Sequence, residues 1–373
     1  MDNSLEPSLC GVPKTNGGDL VPKLTINVRK IEHNAALVCN IAKQQGIDIF
    51  GVAKGMCGPE DVGRALVNGG CVGIGDSQMP TLKRLKGLEL GVPLMLLRLP
   101  TISRVKEVVN AADISLNSEY ATCEALSAAA GKAGRKHKVL LMVDVGDLRE
   151  GVWPDDLMTL VQQVSRLPHI EIYGIGTNLA CFGGIVPEQE NLAQLLKAAQ
   201  DASEYLGRKL VVSGGNSSSL KMLFAGQLPP GINSLRIGEG ILLGREAIGR
   251  EPLPGAHTDT CVLTAEIIEL KSKPSLPIGT VGQDAFGNVP RFEDKGVRLR
   301  AILNIGRQDV AVEGLAPRLA GATILGASSD HLVMDVEDSP PLRVGDQVKL
   351  DINYGALLAA STSPYVRKEY VRK

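Results

Sequence analysis

No two cysteines in this chain stand at CxxC spacing, and none of its five histidines belongs to an HxH or HExxH pair. Without two thiolates or two imidazoles on one turn, a metal finds no ready set of ligands. The seven cysteines (Cys10, Cys39, Cys57, Cys71, Cys123, Cys181 and Cys261) are odd in number and scattered, which reads as reduced thiols rather than a disulfide framework. An excess of one charge is lacking too. Forty basic residues face 41 acidic ones, which excludes the electrostatic footprint of a nucleic-acid or anionic-membrane binder. No apolar run reaches the length of a membrane span, and residues 1–18 lack the basic-then-apolar layout of a signal peptide. The expectation is a cytoplasmic protein acting on a small molecule. Nucleotide phosphate loops are not indicated: GxxxxGK is absent, and after Gly238-Glu-Gly240 the third glycine of a GxGxxG, Gly244, comes one residue late.

What is present is a length of 373 residues, 44% of them hydrophobic, enough for about two domains. Lys23 to Val28 (KLTINV) alternates as a half-buried strand does, and a helix is expected from about Lys30 to Gln45. Eight short apolar runs follow, each leaving room for a helix before the next: IDIFGVA (47–53), CVGIG (71–75), PLMLLRL (93–99), DISL (113–116), HKVLLMVDV (137–145), IEIYGIG (170–176), KLVVSG (209–214) and INSLRIG (232–238). Such strands, hydrophobic on both faces, suit an α/β fold of the (β/α)8 TIM-barrel type. A doubly wound open sheet gives a similar alternation. The polar residues favour the barrel: Lys54, Arg98, Asn117, Arg149, Asn178, Ser217 and Arg236 sit in or just after seven of the eight runs, at the face where barrel enzymes build their sites. After Gly244 short β-like runs alternate with turns and predict a C-terminal all-β domain. The expected division is a tail at 1–21, a barrel at 22–245 and a β domain at 246–373.

The strand ending Gly51-Val-Ala-Lys54-Gly-Met-Cys-Gly58, the DxGxxRxG run from Asp144 to Gly151, the turn Gly214-Gly-Asn216-Ser217-Ser-Ser219 and Leu235-Arg236-Ile-Gly238 together resemble the alanine racemase-like pyridoxal-phosphate enzymes. The likeness runs from about Pro22 to the C-terminus and is nearest to the ornithine racemase branch. The resemblance implies pyridoxal 5'-phosphate as cofactor, with Lys54 forming an imine with its aldehyde, Arg149 at its phenolic oxygen, Arg236 at its ring nitrogen, and Ser217 and Gly238 at its phosphate. Asn178 stands where alanine racemases place a histidine over the ring, a departure toward the ornithine-type branch. In the β domain, Asn353-Tyr354-Gly355 fits a phosphate-binding tyrosine. Ser328-Ser329-Asp330 occupies a segment that approaches the partner subunit's site in a homodimer.

One departure bears on mechanism. Alanine racemases carry an acid/base tyrosine in a VGYGxTY-like segment, where this chain has Val281-Gly282-Gln283-Asp284-Ala285-Phe286-Gly287. Asp284 is the adjacent ionisable group, either a second proton carrier beside Lys54 or an anionic clamp for a substrate ammonium. Glu239 is another candidate for that clamp, Arg98 for the substrate carboxylate, and Ser329 and Asp330 for further substrate contacts. The expected activity is racemisation of an amino acid. Ornithine is implied by the resemblance, and lysine, arginine, alanine and serine are the alternatives. A non-catalytic cofactor-binding protein is the reading from another class, disfavoured by the long β domain. A decarboxylase on the same plan would carry a WCDG-like segment, which is absent.

Overall fold

The computed structural model describes residues 21–372; the tail expected at 1–21 lies almost wholly outside the described residues. The chain divides into two units, one of Asn27–Thr260 with the last residues from Tyr370, the other of Cys261–Glu369 with the described residues up to Ile26.

Strand β1 (Lys23–Asn27) runs directly into α1 (Val28–Gln44), because the Asn27 side chain accepts from the Lys30 amide at 3.0 Å and caps the helix. Eight βα units follow: β2 (Asp48–Val52) and α2 (Glu60–Asn68), β3 (Gly73–Asp76) and α3 (Met79–Lys86), β4 (Leu94–Leu96) and α4 (Val105–Ala111), β5 (Ile114–Asn117) and α5 (Tyr120–Lys132). The second half holds β6 (His137–Met142) and α6 (Leu157–Val164), β7 (Ile170–Gly176) and α7 (Gln189–Leu206), β8 (Val211–Ser213) and α8 (Leu220–Phe224), β9 (Ser234–Ile237) and α9 (Glu239–Leu243). Strands β2 to β9 close a parallel barrel in chain order. Each coincides with one of the eight apolar runs, β3 and β5 ending one residue past theirs, so the alternation belongs to a barrel and not to an open sheet.

Phe50, Met95, Ile114, Leu116, Leu140 and Met142, none more than 2% exposed, form a core cluster among the barrel strands. Burial of each stabilises the fold by about 1.5–3 kcal/mol. The Phe50 ring fits because β3 carries glycine opposite it: a Cβ at Gly73 would stand 2.2 Å from the ring.

The other unit is antiparallel. It contains β10 (Cys261–Pro274), β11 (Val297–Leu303), β12 (Leu315–Pro317), β13 (Thr323–Ala327), β14 (Leu332–Asp335) and β15 (Gln347–Ile352), in the order β12-β15-β10-β11-β14-β13. The long β10 pairs with β15 through its first half and with β11 through its second, with a register shift between Ile267 and Glu269. One helix, α10 (Tyr354–Thr362), follows β15 and is capped by Asn353, which accepts from the Ala356 amide at 2.9 Å. Strand β16 (Arg367–Val371) then pairs with β1.

The domain limits differ from the expected 22–245 and 246–373. β1 pairs with β10, Lys23 opposite Thr264, and so joins the antiparallel unit. Its alternating burial explains why: one covered face suits an antiparallel sheet, whereas barrel strands are buried on both faces. Residues 246–260 stay with the barrel. Asn34 on α1 pins them, accepting from the His257 amide at 2.8 Å and donating to the His257 carbonyl at 2.9 Å. No helix among the described residues is long and apolar enough to cross a membrane.

Candidate active site

Parallel strands in a barrel all end at one rim, so residues just past the strand ends share a face. Lys54 follows β2 in a single helical turn, Lys54–Met56, closed by Cys57 in the left-handed region at φ 57°. Arg84 fastens this turn from α3 by donating to the carbonyls of Cys57 and, at 3.1 Å, Gly58. The Lys54 amine makes no hydrogen bond among the described residues. Crowding by protein lowers its pKa, with Cys181, Arg149, Asp76 and Glu150 within electrostatic reach.

The loop after β6 is shaped by Asp144, which accepts from the amides of Gly146, Leu148 and Arg149 at 2.8, 3.2 and 3.0 Å. Gly151 closes it at φ 135°, where a Cβ would stand 2.4 Å from the Asp144 nitrogen, so the final glycine of DxGxxRxG is sterically required. Arg149 donates to both oxygens of Glu150, one of them at 2.6 Å, and Asn178 donates to the same carboxylate. Arg236 on β9 is only 3% exposed. It donates to the Thr177 carbonyl at 2.5 Å and to Asn178 Oδ1 at 3.2 Å. Asn178 therefore joins the two arginines through Glu150. Burial pulls the Arg236 pKa down to about 10, below the value above about 12 expected for a free guanidinium, yet the group remains a cation and a donor at neutral pH.

Ser217, in the turn after β8, accepts at Oγ from the amides of Gly238 and Gly240 at 3.3 and 3.1 Å. Asn216 shapes this turn by accepting from the Ser218 amide at 2.8 Å, and its side-chain nitrogen donates to the Leu179 carbonyl at 2.9 Å and to Cys181 Sγ at 3.2 Å. The Cys181 loop is tied down by buried Asp147, which accepts from the amides of Cys181, Phe182 and Ile185 at 3.2, 2.9 and 3.4 Å.

The barrel thus gathers Lys54, Arg149, Asn178, Ser217, Arg236 and Gly238 at its C-terminal rim. Two other candidates on the barrel fare differently. Glu239, at the start of α9, is ion-paired with Arg250, which leaves it poorly suited to clamp a substrate ammonium. Arg98, exposed beyond β4, makes no hydrogen bond or ion pair among the described residues and remains available for a carboxylate.

In the antiparallel unit, Asp284 lies exposed in the segment between β10 and β11 and accepts from the amides of Asn288 and Phe286 at 2.8 and 2.9 Å. The Asn288 amide, ahead of that of Phe286, holds its carboxyl below the usual range. A carboxylate kept ionised in a turn suits an anionic clamp better than a proton carrier. Ser329 and Asp330 lie in the turn between β13 and β14, where Asp330 accepts from the Ser328 and Ser329 hydroxyls, each at 3.2 Å, and pairs with His331 at 3.1 Å. Tyr354 is the half-buried first residue of α10.

Glu150, Asp147, Asn216 and Cys181 were not singled out from the sequence. Glu150 lies inside DxGxxRxG, but a residue flanking a conspicuous arginine shows no sign in one dimension that it also meets Asn178.

The donor set fits pyridoxal phosphate: a lysine amine for an aldehyde, two guanidinium groups for a phenolic oxygen and a ring nitrogen, and a hydroxyl with two converging amides for a phosphate. A family model described as the alanine racemase N-terminal domain matches residues 26–245. The chain is 44% identical to the ornithine racemase of Acetoanaerobium sticklandii over 94% of this chain and 99% of that one. It is 39% identical to the lysine racemase of Thermotoga maritima over 94% and 98%. The fold matches the alanine racemase of Bartonella henselae with covalently bound pyridoxal phosphate, at a TM-score of 0.71 and 20% identity over 94% of this chain and 99% of that one.

Proposed function

The chain belongs to the alanine racemase family, and we propose that it is a pyridoxal-phosphate-dependent racemase, acting as a homodimer, that interconverts the enantiomers of ornithine. The relative named for that reaction, alike over nearly the whole of both chains, supports the substrate. Lysine is the second reading, favoured by the Thermotoga maritima relative. The observation that carries the chemistry is Arg236, a buried cation fixed on Thr177 and Asn178.

In this reading Lys54 holds the cofactor's aldehyde carbon, Arg149 its phenolic oxygen, Arg236 its ring nitrogen, and Ser217 with the Gly238 and Gly240 amides its phosphate. Tyr354, as a further phosphate ligand, enters through the family resemblance, whereas Asp284, as the clamp for the substrate's distal ammonium, stands where this chain departs from the family's tyrosine and rests on its being held as a carboxylate. When bound, the cofactor supplies an electron sink for the pair left as the Cα proton departs. Lys54 takes or returns that proton, because its depressed pKa keeps part of the amine neutral closer to physiological pH. Arg236 donates to the ring nitrogen without surrendering its own proton, and so weakens the sink. Prompt reprotonation at Cα is then favoured over side reactions.

Proton NMR in D2O with pyridoxal phosphate and L-ornithine, followed alongside chiral chromatography, tests the reading. Loss of the Cα signal with drift to equal enantiomers is expected. Exchange with lysine but not ornithine would change the substrate, and no exchange with ornithine, lysine or alanine would overturn the reading.

A further inference from the structure

Inversion at Cα takes a proton from one face and returns one to the other, so a second carrier must stand beside Lys54. The segment 281–287 offers no tyrosine for it, and Asp284 is held as a carboxylate within its turn. We infer that Cys181 is the second proton carrier of this site.

Its placement carries the inference. Cys181 follows β7 and is exposed, whereas Cys39, Cys71, Cys123 and Cys261 are buried. Its backbone is fixed by the buried Asp147 carboxylate, and its sulphur accepts from Asn216 at 3.2 Å. Lys54, Arg149 and Arg236 all lie within its electrostatic reach. The sulphur is therefore held at the same rim as the amine of Lys54, with Asn216 fixing its position. Lys54 and Cys181 also arrive from different strands, β2 and β7, separated by β8 and β9 around the barrel.

The other charged groups at this rim are placed differently. Glu150 is held by Arg149 and Asn178, and both guanidinium groups keep their protons. Asp76 accepts from the Gln78 amide at 2.8 Å through one oxygen, and its other oxygen is buried without a hydrogen-bond partner among the described residues; it comes from β3, the strand paired with that of Lys54, and so stands beside Lys54 rather than across the barrel from it.

In one direction the thiolate removes the Cα proton: the Cα–H bond breaks, S–H forms, and the electron pair stays with the substrate, stabilised by the cofactor. The Lys54 ammonium then delivers a proton to Cα, and in the reverse direction the two groups exchange roles. No oxidant or reductant is consumed.

The inference rests on the racemase reading, and the two fail separately. Iodoacetamide labelling of the wild-type protein, read by peptide mass spectrometry, should modify Cys181 in the free protein and be suppressed by pyridoxal phosphate plus L-ornithine. In D2O, Cys181→Ala should lower racemisation by about 10²- to 10⁴-fold. It should keep the cofactor's visible band and still exchange the Cα proton of one enantiomer without inversion, the signature of Lys54 acting alone. Cys181→Ser serves if the alanine variant fails to bind cofactor, and wild-type protein alkylated at Cys181 gives the same comparison without any substitution. Racemisation near the wild-type rate in these proteins, or labelling of Cys181 that is indifferent to cofactor and ornithine, would overturn the inference. Absence of Cα exchange in the wild type would instead remove the racemase reading itself.

Discussion

At the scale of single residues, charge placement decides what each side chain can do. Lys54→Ala removes the only lysine at the end of β2, so the cofactor's visible absorbance band should vanish and racemisation should fall by at least about 10²-fold; an unchanged band would move the cofactor to another lysine. Arg236→Glu puts an acid where, in the proposed reading, a permanent donor would face the ring nitrogen. It should raise the fraction of turnovers ending in pyridoxamine phosphate, measured by chromatography, and equal by-product in both proteins would remove that role. Asp284→Asn should raise KM for ornithine about tenfold or more with kcat nearly unchanged if the carboxylate clamps the distal ammonium, a loss of roughly 1.4 kcal/mol of binding or greater. Lys54, Arg149 and Arg236 were legible in the sequence because each lies in or after an apolar run, where a barrel brings strand ends together, and within a motif that resembles the family's. Glu150 and Cys181 were not, because their significance lies in partners contributed by other strands.

At the scale of elements, the rim loops are set by buried carboxylates rather than by their own length. Asp147, 1% exposed, receives three amides of the 181–185 segment. Asp147→Ala should therefore cost about 2–4 kcal/mol, read as a fall in the denaturant midpoint, and should slow racemisation although Asp147 touches no substrate. A midpoint within error of wild type would show that the loop holds its shape without the carboxylate. The eight barrel strands could be read because burial on both faces leaves uninterrupted apolar runs. The helix α10 escaped, since Ala356–Ala360 is apolar throughout and lacks the period that separates a helix from a strand.

Across the whole molecule, two buried groups set opposing pH dependences. His137, 1% exposed, has its pKa pulled down to about 4 by burial, with Arg135 adding to the effect. The unfolded chain binds its proton first, so stability is lost as pH falls from about 6.5 toward 4, by about 3 kcal/mol. Asp76, fully buried, has its pKa raised by burial to about 6. There the folded chain binds the proton first, and stability is gained as pH falls from about 6 toward 4, by a similar amount of about 3 kcal/mol. The two effects nearly cancel in the wild type. Asp76→Asn keeps the turn acceptor but removes the gain, so its melting temperature should fall more steeply than that of the wild type between pH 6 and 4; parallel curves would show that Asp76 does not titrate in this window. Domain limits were the least legible feature at this scale, because one strand ahead of the barrel, β1, joins a sheet whose other strands come after it.

That early strand also sets a schedule for synthesis. β1 leaves the ribosome ahead of every other described strand, yet the residue opposite Lys23 is Thr264, about 240 residues and, at 5–20 residues per second, roughly 12–48 s later. The barrel can close during that interval while β1 waits with its backbone donors and acceptors unpaired, the condition in which a strand edge recruits the wrong neighbour. The nascent chain is therefore most vulnerable to aggregation after the catalytic barrel has been made and before β10 has emerged.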